Sequence, residues 1–342
     1  MSIRTAAAAL CAAAILAAAP APAQTEQELY EAAKKEGELT WYIAHFSAEN
    51  AEAVGSAFTQ KYPGVKVNVV RATSQVIMQR LMQDIENSAR NCDVFGSADE
   101  GHYVELEQKK LLTRYVPRNA GSVLEQFQNI DPDGTYHVTA AAMLVLAYHT
   151  DLVKAEEAPT KWSDLTDPKW KGKIALGHPA FSGSVGTWTV LLTKLYGWDY
   201  FEALEKNDPQ IGRSLLDATT MLVAKERSVG AVLDAGTGKA ISRGSPIQLV
   251  YPTDGSLLLA LPSAIPASAP HPNAAKLFME FLLSPEASKV AVEYFNAPLL
   301  DSVPPPKGMK SASEVKTLRP TAEEIHKGVP EAIERWRDTF GN

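Results

Sequence analysis

Cysteine is nearly missing from this 342-residue chain: Cys11 sits in an apolar leader, and Cys92 is the one thiol beyond it. No disulfide within the chain after the leader and no thiolate metal cluster can form from a single cysteine. The neighbours Asp93-Val94-Phe95 predict a strand that hides Cys92. Basic residues are outnumbered, 33 Lys and Arg against 40 Asp and Glu, for a net charge of -7. That balance excludes the positive field nucleic acid requires. Long apolar runs are missing after the leader; Ala140–Ala147 is strand-sized, well short of the roughly 20 residues of a membrane span. Catalytic signatures are missing too. Phe181-Ser182-Gly183-Ser184 lacks the first glycine of a Gly-x-Ser-x-Gly elbow, no His-Glu-x-x-His occurs, and the seven histidines are scattered. The chain is therefore not expected to be an enzyme, and no resident cofactor or metal site is expected.

The N-terminus has the three parts of an export signal. One charge at Arg4 is followed by the apolar run Ala6–Ala19 and then by small residues at Ala21-Pro22-Ala23. Residues 1–23 are expected to be a cleaved signal peptide, with Gln24 first in a soluble periplasmic protein. Loss of Arg4 takes the net charge from -7 to -8. The remainder is long enough for large cores without staples.

From there the pattern alternates. Leu29–Lys35 has helical spacing, Leu39–Ile43 is strand-like, and Ala48–Tyr62 is helical up to Pro63-Gly64. Val65–Val70, Ser74–Ala89 and Cys92–Phe95 continue as strand, helix and strand. Tyr136–His149 is an apolar strand long enough to pass from one lobe to another. Ile174–Leu176 leads through a Gly/Ser loop to a helix at Thr187–Tyr196. Gly230–Asp234, Ile247–Tyr251 and Ser256–Pro262 predict further strands, Ala274–Leu283 a helix closed by Ser284-Pro285, and Thr321–Phe340 a terminal helix. Such alternation predicts an α/β protein with largely parallel, mixed sheets flanked by helices. Two halves joined by long strands imply a hinge and a ligand cleft at the carboxyl ends of the strands.

Several segments, in order, resemble periplasmic binding proteins of the ferric-ion-binding type. Gly37-Glu38-Leu39-Thr40-Trp41-Tyr42 is similar to the family's first strand. Phe58-x-x-Lys61-Tyr62-Pro63-Gly64-Val65-x-Val67 is similar to its passage from helix to second strand, and Asn91-Cys92-Asp93-Val94-Phe95 to its third strand. Trp162-x-Asp164-Leu165-x-Asp167-Pro168-x-Trp170-x-Gly172-Lys173-Ile174 resembles the entry to the second lobe. Val250-Tyr251-Pro252-Thr253-Asp254-Gly255 and the helix from Asn273 to Ala287 resemble the return strand and a late helix. The resemblance implies a two-lobed type II periplasmic binding fold and an ABC-importer permease as partner. Lobe 1 is then 24–139 plus about 256–300, and lobe 2 is 140–255, with 301–342 packing on lobe 2. The family's iron binders carry paired tyrosines just after the strand matching Gly230–Leu233. Here that place holds Asp234-Ala235-Gly236-Thr237. Without phenolates, ferric iron loses its hard anionic ligands. The expected ligand is a small organic anion or zwitterion; ferric iron, a metal chelate, or a sensing role are the alternatives.

Candidate contacts follow from the strand ends. His45 and Ser47 close the first strand, Thr73 and Ser74 open the helix after the second, and Ser97 and Asp99 follow the third. The loop His178-Pro179-Ala180-Phe181-Ser182-Gly183-Ser184-Val185-Gly186-Thr187 is the strongest local signal. Its glycines admit close backbone approach, and helix N–H groups there suit an oxyanion, with His178, Ser182, Ser184 and Thr187 as contacts. Thr219 and Thr220 are weaker second-lobe donors, and Tyr42 a modest aromatic candidate. Asp234 and Asp254 are the acidic candidates, able to pair with a ligand amine. One chain supplies both cleft walls, so a monomer is expected.

Overall fold

The computed structural model describes residues 24–341; the leader read at 1–23 lies outside the described residues. The chain begins with α1 (Glu26–Glu36), β1 (Glu38–Ile43), α2 (Ala48–Lys61), β2 (Lys66–Arg71), α3 (Ser74–Glu86), β3 (Val94–Gly96) and α4 (Gly101–Gln108). Local chemistry sets these boundaries. Thr25 and Glu28 form a capping box at the start of α1, and Gly37 ends it at φ 80°, a left-handed conformation that glycine adopts without Cβ strain. β1 pairs in parallel with β2 and β3. Behind them Trp41 meets Phe278 edge-on at 4.9 Å, and Phe58 meets the same ring at 5.1 Å. Burying rings of this size is the main source of stability in such a layer.

β4 (Tyr136–His149) has the span read from the sequence. β5 (Ile174–Leu176), α5 (Gly183–Tyr196), α6 (Asp199–Glu205), β6 (Gln210–Ile211), α7 (Leu215–Val223), β7 (Val229–Leu233), α8 (Asp234–Ser242) and β8 (Ile247–Val250) follow. Here β5 pairs in parallel with β6 and β7. β9 (Ser256–Ala264) then runs antiparallel to β4 along most of its length and meets β3 at its far end. The strand order β2-β1-β3-β9-β4-β7-β5-β6 therefore consists of two parallel wings joined by one antiparallel crossing pair. α9 (Pro272–Leu282), α10 (Pro285–Glu293), β10 (Thr317–Leu318) and α11 (Ala322–Phe340) complete the chain.

The sequence reading departs from the structure at a few places. The segment after β7, to which the sequence pattern assigns no element, is the helix α8. Ser284-Pro285 ends α9 but also starts α10: Ser284 Oγ accepts from Ala287 N at 3.2 Å, and Pro285 occupies a first-turn position where no N–H is required. The entry to the second half is two short 3₁₀ segments, Trp162–Thr166 and Pro168–Trp170. Ser214 caps α7, with Asp217 at the third position of a capping box. α11 lies on α5 and α6, and also on α4 in the other wing. Its Trp336 is fully buried between Phe201 and Phe340. Cys92 is buried and unpaired, and burial raises its thiol pKa.

Candidate functional site

The carboxyl ends of the wing strands open on one cavity of about 220 Å³. Five helices start at its wall. Ser47 is the N-cap of α2, and Thr73 that of α3. Ser182 is the N-cap of α5, Ser214 of α7 and Leu233 of α8, and all five residues line the cavity. The arrangement follows from the βα order of each wing: a helix that leaves the carboxyl end of a parallel strand presents its N-terminus there. Each start contributes unsatisfied N–H groups and the positive end of a helix dipole.

The caps differ in a way that matters. Ser47 Oγ accepts from Asn50 N at 3.2 Å, and Ser214 Oγ from Asp217 N at 3.4 Å. Thr73 and Ser182 make no side-chain cap bond. Thr73 Oγ1 is buried without a partner, as is Asn50 Oδ1, and the buried ring nitrogens of His45 have no close hydrogen bond, with only a weaker backbone interaction at Ser97. All three residues line the cavity. Buried polar atoms are nearly always satisfied, so such a cluster marks where a ligand supplies the partners. His45 is held neutral: burial lowers its pKa to about 3, and a backbone contact at Ser97 offsets this only partly. Its ring therefore offers one donor and one acceptor.

The charge of the lining is cationic. Arg71, Lys239 and Arg243 face one carboxylate, Glu49. Arg71 Nε donates to the Phe46 carbonyl at 3.2 Å; burial lowers the Arg71 pKa, Asp217 opposing, yet guanidinium keeps its proton. Lys239 Nζ stands 4.3 Å above the Tyr294 ring. Arg243 reaches from the end of α8 to Glu49 on α2 at 3.3 Å, and so joins the two wings across the cavity mouth. A second bridge between the wings runs from Gln75 N to the Phe181 carbonyl at 3.4 Å.

Six of the expected contacts meet in this cavity: His45, Ser47, Thr73, Ser74, Ser182 and Ser184. The other six lie outside its lining, each engaged within the protein. Ser97 Oγ accepts from Asp99 N at 3.1 Å and contacts His102 Nδ1 at 2.9 Å. Asp99 accepts from Gly101 N at 3.0 Å and Gln75 Nε2 at 2.9 Å. His178 Nδ1 accepts from Ala180 N at 3.0 Å. Thr187 Oγ1 donates to the Gly183 carbonyl at 3.0 Å, inside α5. Asp254 accepts from Trp162 N at 2.9 Å and from the Tyr196 hydroxyl. Asp234, the first residue of α8, is buried and bonded to Met143 N. Among the weaker candidates, Thr219 bonds Thr237 at 2.9 Å and Tyr42 donates to Asp84 at 2.7 Å. Neither they nor Thr220 lines the cavity.

Sequence reasoning missed the cations. Arg71 is the last residue of β2, directly before Ala72-Thr73, and its place at a strand end was the available signal. Lys239 and Arg243 are four apart on α8, hence on one face, but that face is visible only once the helix is recognised.

Comparison with known proteins gives this geometry its class. The chain belongs to the bacterial extracellular solute-binding protein family, whose model matches residues 90–327. A protein of Salmonella typhimurium named as a 2-aminoethylphosphonate-binding periplasmic protein is 25% identical over 94% of both chains. The periplasmic binding protein AfuA of Actinobacillus pleuropneumoniae, solved with fructose-6-phosphate bound, superposes with a TM-score of 0.82. It is 23% identical and covers 90% of this chain and 99% of its own. Iron-bound HitA of Pseudomonas aeruginosa has a TM-score of 0.76 at 21% identity, with coverage of 88% and 99%. The fold is the two-lobed type II periplasmic binding fold, and the function is that of an ABC-importer binding protein, which captures a small ligand and works with a permease. Among the described residues, no helix is long and apolar enough to cross a membrane.

Proposed function

We propose that the cleft binds a compact organic anion, with a phosphonate, phosphate or carboxylate head turned to the five helix starts and Arg71. The observation that carries this reading is the convergence of those N-termini on a cavity that holds three cations and unpartnered buried polar atoms. The size of about 220 Å³ suits a molecule smaller than a drug-sized ligand. Glu49 is the one lining carboxylate available to an amine, and it is already paired with Arg243; a zwitterion is therefore the second choice within the class. The Salmonella relative is named for an aminophosphonate and the AfuA structure holds a sugar phosphate, which supports a phosphoryl head.

Bare ferric iron is disfavoured by the donor set. Tyr294 is the one phenol in the lining, under Lys239, and the Asp234-Ala235-Gly236-Thr237 segment brings no phenol. The same reading takes residues 24–139 plus about 256–300 as lobe 1 and 140–255 as lobe 2, with α11 spanning both. It takes the protein as a monomer without turnover, exported to the periplasm by cleavage after Ala23. Mass spectrometry of ligand released from gently purified protein, followed by calorimetry against phosphonates, sugar phosphates, carboxylates, polyamines and ferric salts, tests the ligand class. Preference for a polyamine, or stoichiometric iron binding with a visible charge-transfer band, would overturn it.

A further inference from the structure

A second cavity lies behind the crossing strands, at about 430 Å³ the larger of the two. Successive side chains of a strand point to opposite faces. Along β4, Ala142 packs in the layer of Leu259 and Leu261, and Leu261 and Ala142 line the cleft. Ala141 and Met143 belong to the other layer, with Leu258, and these three line the second cavity. Phe295, Leu300 and Val303 give the remaining wall an apolar character.

Within this apolar lining stands Asp234, 3% exposed. Its Oδ1 accepts from Met143 N at 2.9 Å and Ala235 N at 2.7 Å. Its own backbone N–H, at the start of α8, is the third donor, and the carboxylate has no ion-pair partner among the described residues. Neutral backbone donors alone compensate a buried charge only in part. Lys310 lines the same cavity, but its ammonium rests 5.4 Å from the Tyr251 ring. The other ionisable groups of the wall are Glu125 and Asp301, and Tyr251 stands near enough to feel the Asp234 charge. A buried carboxylate without a cationic partner, on the wall of a largely apolar chamber, complements an ammonium head on a short apolar body.

We propose that this chamber is a second ligand site, separate from the cleft, for a small primary ammonium with an apolar tail, its head on Asp234. Burial raises the Asp234 pKa to about 7, and the cation requires the ionised form. Affinity therefore rises with pH, by about tenfold from pH 6 to pH 8.

The test is calorimetry of the full chain with hexylammonium chloride, and with hexanol as its neutral counterpart. Expected are single-site binding of hexylammonium, hexanol at least about tenfold weaker, and the stated pH dependence. Asp234→Asn preserves both backbone bonds, since an amide oxygen still accepts them, and is expected to weaken hexylammonium at least about tenfold. Met309→Trp fills the chamber from its wall and is expected to abolish binding. Both variants are checked for native near-UV circular dichroism. Arg71→Ala, in the cleft, is expected to leave hexylammonium affinity within about twofold. The proposal fails if hexanol binds as tightly as hexylammonium, or if the natively folded Asp234 and Met309 variants bind like wild type. It also fails if no binding is seen up to about 10 mM, or if Arg71→Ala alters the affinity by more than the stated margin.

Discussion

Arg71, at the end of β2, is the one cation of the cavity lining that belongs to the first wing. A charge-assisted hydrogen bond contributes about 1.5–3 kcal/mol, so Arg71→Ala is expected to weaken the released ligand about 10- to 100-fold by calorimetry. Ser182 and Ser184 were legible because serines beside a glycine announce a helix start; replacing both by alanine is expected to cost about tenfold or more in the same assay. Arg71 was not legible, because a single arginine at the end of a strand looks the same whether it faces solvent or a ligand. Asp254 lies outside the cavity lining. Asp-Gly in a turn and Asp at a cleft read alike, and here Oδ2 accepts from Trp162 N and the Tyr196 hydroxyl. Asp234 carries a pH signature. Its folded pKa, about 7, lies above the ordinary unfolded value near 3.9. Its protonated form therefore favours the folded state fully below about pH 4, and that advantage is lost as pH rises toward 7. Relative to Asp234→Asn, wild type is expected to lose up to about 4 kcal/mol over that window, measured by denaturant titration at each pH.

At the scale of elements, the wings meet where the start of α5 packs against the turn after β3. A Cβ on Gly183 would stand 2.6 Å from Asp99 Cβ and 2.7 Å from Asp99 N. Gly183→Ala is therefore expected to hold the wings apart, lowering ligand affinity at least about tenfold while ligand-free thermal stability changes little. Unchanged affinity would show that the contact is not part of the bound state. The glycine was visible in the sequence, but its partner was not, since Asp99 is distant in the chain and belongs to the opposite wing. The βα alternation itself was readable because each element announces its own period. α8 and α10 escaped for local reasons: α8 follows β7 with no intervening turn residue, and Ser284-Pro285 serves as an end and a beginning at once.

For the whole molecule, two strands cross between the wings, and α11 rests on both sides. Arg243 and Glu49 meet across the mouth as an exposed pair, worth little by itself. Its effect is on the field: Glu49→Gln removes the one negative charge facing the cavity. Anion affinity is expected to rise a few-fold at low salt, an advantage that fades as ionic strength increases. A fall of affinity in that variant would mean that the ligand uses Glu49 through an amine. The overall architecture was legible because long strands flanked by two alternating halves leave few alternatives. The continuous sheet was not, because pairing of β3 with β9 depends on contacts between distant segments.

Ala142 lines both the cleft and the chamber behind it. With Ala140 and Ala141 it makes the middle of β4 a partition one small side chain thick. The two compartments are thus back to back, with one stretch of β4 as their shared wall.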